Sequence, residues 1–229
     1  MRSPNFEKCT ALATELLYNQ NIKNRILDIQ KLDYGERNII FDTIQNYASI
    51  VNLPLSRFLS EKNKILKDGC TIVIDKNTYL VLYNGEINYW EHLNWTLAHE
   101  IGHIYLEHRE DGEIEEIEAH YFAAQLFMPE YSILMMKKEH GEISESDLIE
   151  IFGVSPKAAS KRIETMKKRI SFRASTIDKD IWKIQKERVD LYFSCGKNRM
   201  RYRSTLDIIL HLEEEQRFLF SETYKPRAI

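Results

Sequence analysis

The chain is poor in the residues that staple, punctuate or anchor a polypeptide. Of its 229 residues only three are cysteine, Cys9, Cys70 and Cys195. They are odd in number, far apart, and never form a C-x-x-C pair, which points to free, reduced thiols rather than a disulfide framework. No apolar run approaches the ~18 residues a membrane helix needs. The start, Met1 to Lys8, has no apolar stretch of the kind a signal peptide carries, so a cytoplasmic protein is expected. The formal net charge is only −3, so the chain as a whole is not a polycation seeking nucleic acid. No internal repeat or low-complexity segment is present. What is there is a 43% hydrophobic composition, enough for a real core. The length suits one compact domain, with or without a helical appendage.

Charge is distributed unevenly. Residues 104–151 carry thirteen Asp or Glu against three Lys or Arg, a net −10, and residues 155–203 carry fifteen Lys or Arg against five Asp or Glu, a net +10. Two readings follow: the two segments attract each other within the fold, or the basic one meets an acidic partner or nucleic acid.

Apolar spacing predicts a docking helix over Phe6–Tyr18 and another over Glu36–Val51, ended by Pro54. Cys70–Ile74 and Tyr79–Tyr83 are short β-branched runs joined by Asp75-Lys76-Asn77, and they read as a hairpin. Substrate can add to a sheet edge as an extra strand, and Tyr79–Tyr83 is a candidate for that edge. A helix is expected over about 90–108, broken at Asp111-Gly112. A second, over about 113–129, is stopped by Pro129.

The first of these helices holds the most informative residues. Residues 96–108 read Thr-Leu-Ala-His-Glu-Ile-Gly-His-Ile-Tyr-Leu-Glu-His. His99, Glu100 and His103 make an H-E-x-x-H motif. Two histidines four apart lie one turn apart on one helix face, so both rings can reach one metal ion. Glu100, between them, is placed to touch the attacking water rather than the metal. That is the zinc-hydrolase arrangement of two ligands and a general base. Leu97, Ala98, Ile101, Ile104 and Tyr105 supply the apolar stripe of a half-buried helix. Gly102 costs roughly 1 kcal/mol of helix stability against alanine, which is tolerable where another segment packs closely on it.

A catalytic zinc needs a third protein ligand. In Glu113–Pro129, Ala119, Phe122, Ala123 and Leu126 form a buried face, and Glu116 falls on it. Glu116 is therefore the favoured third ligand, with Glu118 as runner-up. His120, one turn after Glu116, is a candidate oxyanion donor or supporting group, as are Tyr121 and Tyr83. His92 and His108 read as surface or supporting groups, His108 lying five after His103 and off the ligand face.

These two segments resemble the ImmA/IrrE metallopeptidases. Their pattern is an H-E-x-G-H helix followed by E-x-x-A-N-x-F-A-A-x-L-L-M-P. Here the second part reads Glu116-Ile-Glu-Ala-His-Tyr-Phe-Ala-Ala-Gln-Leu-Phe-Met-Pro129. His120 stands where the family usually has Asn, and Phe127 replaces Leu. The resemblance is close over 96–129. It implies a cytoplasmic zinc protease that cuts a DNA-bound repressor of a phage, mobile element or stress regulon.

Ser144–Asp147 can cap a short helix to Phe152. Gly153-Val154-Ser155-Pro156 forms a turn, and a basic helix follows with Ala158, Ala159, Ile163 and Met166 inward. Lys157, Lys161, Arg162, Lys167, Lys168 and Arg169 lie along this one helix. Helix, glycine turn and basic helix is the outline of a DNA-binding helix-turn-helix. The resembled family also has an F-x-V-S-x-x-A-x-x-R-L segment after its protease motif, matched here by Phe152-Gly153-Val154-Ser155, Ala158-Ala159 and Arg162-Ile163. Packing on the protease core is therefore favoured over DNA binding. Farther on, Ile177–Tyr192 and Leu206–Phe220 have helical spacing, and a basic, tyrosine-containing segment at 195–203 lies between them.

The expected fold is α+β and mostly helical: a zincin-like core over 1–143, a helical segment over 144–170, and a helical C-terminal extension over 171–229. Two functions of different class compete. One is a zinc endopeptidase acting on a protein partner. The other is a zinc-containing regulator that binds DNA through 144–169. Glu100 favours the first, because a structural zinc has no use for a base between its ligands.

Overall fold

The computed structural model describes residues 3–20, 26–60, 63–110, 112–168 and 173–196. The expected segment Leu206–Phe220 and most of 195–203 lie outside them. Among the described residues the fold is α+β and mostly helical, with eight α-helices and one three-stranded sheet. The elements run α1 Phe6–Asn19, β1 Asn38–Thr43, α2 Ile44–Ile50, β2 Gly69–Val73, β3 Thr78–Tyr83, α3 Trp90–Leu106, α4 Glu113–Phe127, α5 Glu130–His140, α6 Glu145–Phe152, α7 Pro156–Lys168 and α8 Thr176–Leu191. The chain divides into two compact units, Met1–Arg188 and Val189–Ile229. In the second, Tyr192–Gly196 forms a short π-helical turn.

The sheet order is β1-β3-β2, with β1 parallel and β2 antiparallel to β3. This corrects two expectations. Residues 38–43 are a strand, not the start of a helix. Ile39, Ile40, Phe41 and Thr43 are the β-branched and aromatic types that suit a pleated surface, and pairing with β3 decides between the two structures. The helix begins only at Ile44, where the Thr43 hydroxyl caps the Asn46 amide at 3.1 Å. Tyr79–Tyr83 is then the central strand, with Val81 and Leu82 completely buried, and cannot be a free edge. The hairpin itself forms as expected. Its Asp75 carboxylate accepts from the Asn77 and Thr78 amides, both at 2.9 Å.

Helix α3 buries Leu97, Ala98, Ile101 and Ile104. It lies between the sheet and α4, and two glycines set those approaches. A Cβ on Gly102 would stand 3.1 Å from the Ala119 carbonyl oxygen and 3.2 Å from its Cα, both backbone atoms of α4. A Cβ on Gly69, in edge strand β2, would stand 2.8 Å from Thr96 Cγ2 and 3.2 Å from Glu100 Cγ. Helix α1 packs on α4 through Cys9, Ala13, Leu16 and Leu17. Cys9 is a free, buried thiol.

Helix α6 opens on a reciprocal capping box between Ser144 and Asp147. It ends at Gly153, where a φ of 63° and close contact with the Ile26 side chain both disfavour a Cβ. In α7 the inward set is Ala158, Ala159 and Arg162, whereas Ile163 and Met166 are half-buried. Arg162 was one of the basic residues that suggested DNA binding. It is instead 2% exposed, and it donates from Nε to the Met128 carbonyl at 3.0 Å and from Nη2 to Gln125 Oε1 at 2.6 Å. Gln125 in turn donates to Thr14 Oγ1 at 3.0 Å and accepts from the Glu130 amide at 3.1 Å. Polar groups that no water can reach must be paired inside, and Arg162 pairs those at the end of α4.

Two stability predictions follow. Gly102→Val should lower stability by about 1–3 kcal/mol, because backbone rather than a flexible side-chain tip must give way. An unchanged thermal midpoint would contradict the close α3–α4 approach. Arg162→Ala should cost on the order of 3 kcal/mol in chemical denaturation, because it strands a buried amide oxygen and a buried carbonyl. A near-neutral result would place Arg162 at the surface.

Candidate metal centre

His99 and His103 project from α3, and Glu116 from the first turn of α4. Their ligand atoms all lie within 4.8 Å of one another. The two Nε2 atoms are 3.0 Å apart, and Glu116 Oε2 and Oε1 stand 3.5 Å from His99 and His103 Nε2 respectively. Two ligands at 2.0–2.1 Å from a tetrahedral zinc stand roughly 3.4 Å apart, so this triangle has the size of one face of such a site. The donor set also suits the ion: two imidazoles and one carboxylate, with no fourth protein group converging on them among the described residues. The histidine side chains are each 12% exposed and that of Glu116 is 45% exposed, which leaves the cluster open on one side. The adjacent rings of His103 and then His99 hold Glu116 well below the usual carboxylate range.

Glu118, the runner-up, points elsewhere. It is 2% exposed, and its Oε2 lies 3.0 Å from His108 Nε2 while its Oε1 accepts the Asn5 amide at 2.6 Å. His108 closes back on the cluster, its Nδ1 lying 3.0 Å from His103 Nδ1. Desolvation is the largest influence on His108 and lowers its pKa, against an opposing pull from Glu118. Sequence reasoning missed this contact, because on a continuous helix a residue five after His103 points away from it. The helix is not continuous: Glu107 adopts a left-handed conformation at φ 60°, and the His108 amide then donates to the His103 carbonyl at 3.0 Å.

Glu100 faces the sheet side of α3. It is 8% exposed, and its Oε2 accepts the Thr71 hydroxyl at 2.8 Å. Thr71 and Gly69 were also missed, since nothing local marks a strand residue as a neighbour of a helix thirty residues later. Of the remaining candidates, His120 stacks beside His99 with ring centroids 4.3 Å apart. Desolvation of its packed side and then the nearby His99 push His120 down to about 4. The Tyr121 hydroxyl donates to Glu130 Oε2 at 3.3 Å, and its ring packs on Phe6. Tyr83 sits in β3 opposite Gly69, with no hydrogen bond or ring contact to the cluster among the described residues. His92 is exposed and meets Asp68 at 3.0 Å.

An open groove of about 1060 Å³ adjoins the cluster at His120. Trp95, Ile117 and Tyr121 form one wall, and Ile149, Val154 and the start of α7 the other. Ile149 is half-buried there.

Residues 71–164 match the family model of the IrrE N-terminal-like domain, Peptidase_M78. The match begins within β2, ends within α7 and contains every member of the cluster. The matched segment is similar to that domain of the ImmA/IrrE peptidases, and the similarity supports a peptidase. A search of curated proteins returned no match to the chain. Among the described residues no helix is long and apolar enough to cross a membrane.

Metal analysis separates the two acids of α4. Glu116→Ala should lose stoichiometric zinc, and Glu118→Ala should keep it. The opposite pattern would make Glu118 the ligand.

Proposed function

We propose that the chain is a zinc-dependent endopeptidase that cuts a specific protein partner. The observation that carries this reading is the convergence of His99, His103 and Glu116, with Glu100 on the same helix between the two histidines. A zinc ion held by those three residues would supply Lewis-acid polarisation of the scissile carbonyl and of the attacking water. Glu100 would take the proton from that water and return it to the leaving amine. Thr71 holds one oxygen of the Glu100 carboxylate, which fixes the orientation of that side chain. His120 is the candidate donor to the developing oxyanion, since its ring borders both His99 and the groove.

An extended substrate strand needs unpaired backbone groups, and β2 is the edge strand that touches the base. The apolar groove beyond His120 would then take substrate side chains on one side of the cut. The family resemblance supports a DNA-binding repressor as the partner, of the kind encoded by phages, mobile elements or stress regulons, with cleavage in the cytoplasm. The competing DNA-binding reading loses ground in α7. Arg162 is turned inward, and Lys161 and Lys168 both pair with Glu164, at 3.5 Å and 2.6 Å.

Glu100→Gln should retain zinc and fold while cleavage falls by about 10²–10⁴-fold. Co-expression with the repressor encoded beside it, followed by mass spectrometry of fragments, reads this directly. Comparable fragment yields from the variant would remove Glu100 from the mechanism. Salt-sensitive, sequence-selective DNA binding by the purified chain would instead favour the regulator.

A further inference from the structure

We propose that His108 and Glu118 are positioning residues that fix which nitrogen of His103 carries its proton, so that Nε2 is presented to the metal as a lone pair. The inference rests on the metal-centre reading above and concerns how that centre is prepared.

With a neutral His108 ring, hydrogen-bond bookkeeping leaves one arrangement of these two contacts. A carboxylate accepts and does not donate, so the 3.0 Å contact between Glu118 Oε2 and His108 Nε2 requires the proton on His108 Nε2. The 3.0 Å contact between the two Nδ1 atoms requires one donor and one acceptor. A neutral His108 already protonated at Nε2 has its lone pair at Nδ1, so His103 Nδ1 donates. The remaining lone pair of His103 is then at Nε2, the atom 3.0 Å from His99 Nε2 and 3.5 Å from Glu116 Oε1. Each link hands its constraint to the next.

The relay is built, not incidental. The side chains of His108 and Glu118 are 4% and 3% exposed, so water does not substitute for either partner. The second oxygen of Glu118 accepts the amide of Asn5, the residue that caps α1, at 2.6 Å. The carboxylate thus sits at a helix N-terminus, where its negative charge is favoured. A non-glycine residue held at φ 60°, Glu107, is what returns His108 to His103. His99 offers the contrast. Its Nδ1 is buried without a hydrogen-bond partner among the described residues, and its ring is held by packing against His120 and His103. Of the two histidines on the motif, His103 is the one whose tautomer the fold sets in advance.

The test uses the full chain and the zinc ion as probe. Long-range ¹H–¹⁵N spectra of the metal-free protein should show His103 as the Nδ1–H tautomer. His108→Leu should lose that signature and weaken zinc binding about 10–100-fold in competition with a chromophoric chelator. His108→Gln should restore most of the affinity, since its carbonyl can accept from His103 while its amide donates to Glu118. Thermal unfolding of the metal-free variants separates loss of fold from loss of ligand preparation. If His108→Leu does not fold, the wild-type tautomer and the glutamine variant decide.

A wild-type His103 protonated at Nε2, or a folded His108→Leu with undiminished zinc affinity, would overturn the proposal and leave the metal centre standing. A wild-type chain that takes up no zinc would overturn both.

Discussion

The close approach of α3 and α4 at Gly102 is the constraint on which the candidate site depends. At 100° per residue, His99 and His103 define a ligand face, with Gly102 about 80° to one side and Glu100 about 80° to the other. The glycine side lets α4 come against backbone, which brings Glu116 within reach of both imidazoles. The other side meets β2, where Gly69 leaves room for the Glu100 side chain and Thr71 binds its carboxylate. One helix thus carries ligands outward between two flanking contacts, each permitted by a missing Cβ. The rigidity needed to hold two rings and a carboxylate to a few tenths of an ångström comes from backbone contact, because side-chain contact alone leaves rotamers free.

Helix α4 uses its acids in two opposite senses. Glu116 is half exposed and faces the open side of the cluster, while Glu118, 200° further round the helix, is directed inward. An isolated buried carboxylate would cost several kcal/mol, and the fold offsets this with the Asn5 amide and the His108 ring. The same helix ends on Gln125, which is tied to α1 by Thr14 and to α7 by Arg162. The acidic first helical segment and the basic segment after 155 therefore meet in part by specific buried hydrogen bonds. The net charges of −10 and +10 describe a tendency. Arg162 shows where one of those positive charges is used.

Legibility in the sequence followed the range of the interaction. The convergence of His99, His103 and Glu116 was readable because they sit on two consecutive helices, and because spacing along a helix translates directly into direction. The tight seat for Gly102 was readable as a requirement, though not its partner Ala119. Strand β1 was not readable, because Ile40, Ile44 and Tyr47 satisfy a helical spacing across what is in fact a strand followed by a helix. Only parallel pairing with β3, forty residues later, separates the two. The inward turn of Arg162 had no local sign either, since its neighbours Lys161 and Lys168 lie on the outside of the same helix. His108 is the most instructive case. Its role depends on one residue with positive φ at a position held by Glu, where Gly or Asn would have signalled a left-handed cap.

That left-handed residue links helix termination to site chemistry. Ending α3 at Leu106 with an ordinary solvent-facing cap would leave His103 Nδ1 facing into protein with no acceptor. Folding the chain back at Glu107 satisfies the His103 carbonyl with the His108 amide and the His103 ring with the His108 ring in one step. The strain of a non-glycine residue in this region, about 1–2 kcal/mol, is of the order of one or two such hydrogen bonds. Both contacts converge on the same histidine. Helix capping, burial of Glu118 under α1 and orientation of His103 are three descriptions of one set of contacts. A change at any of them acts on His103 first.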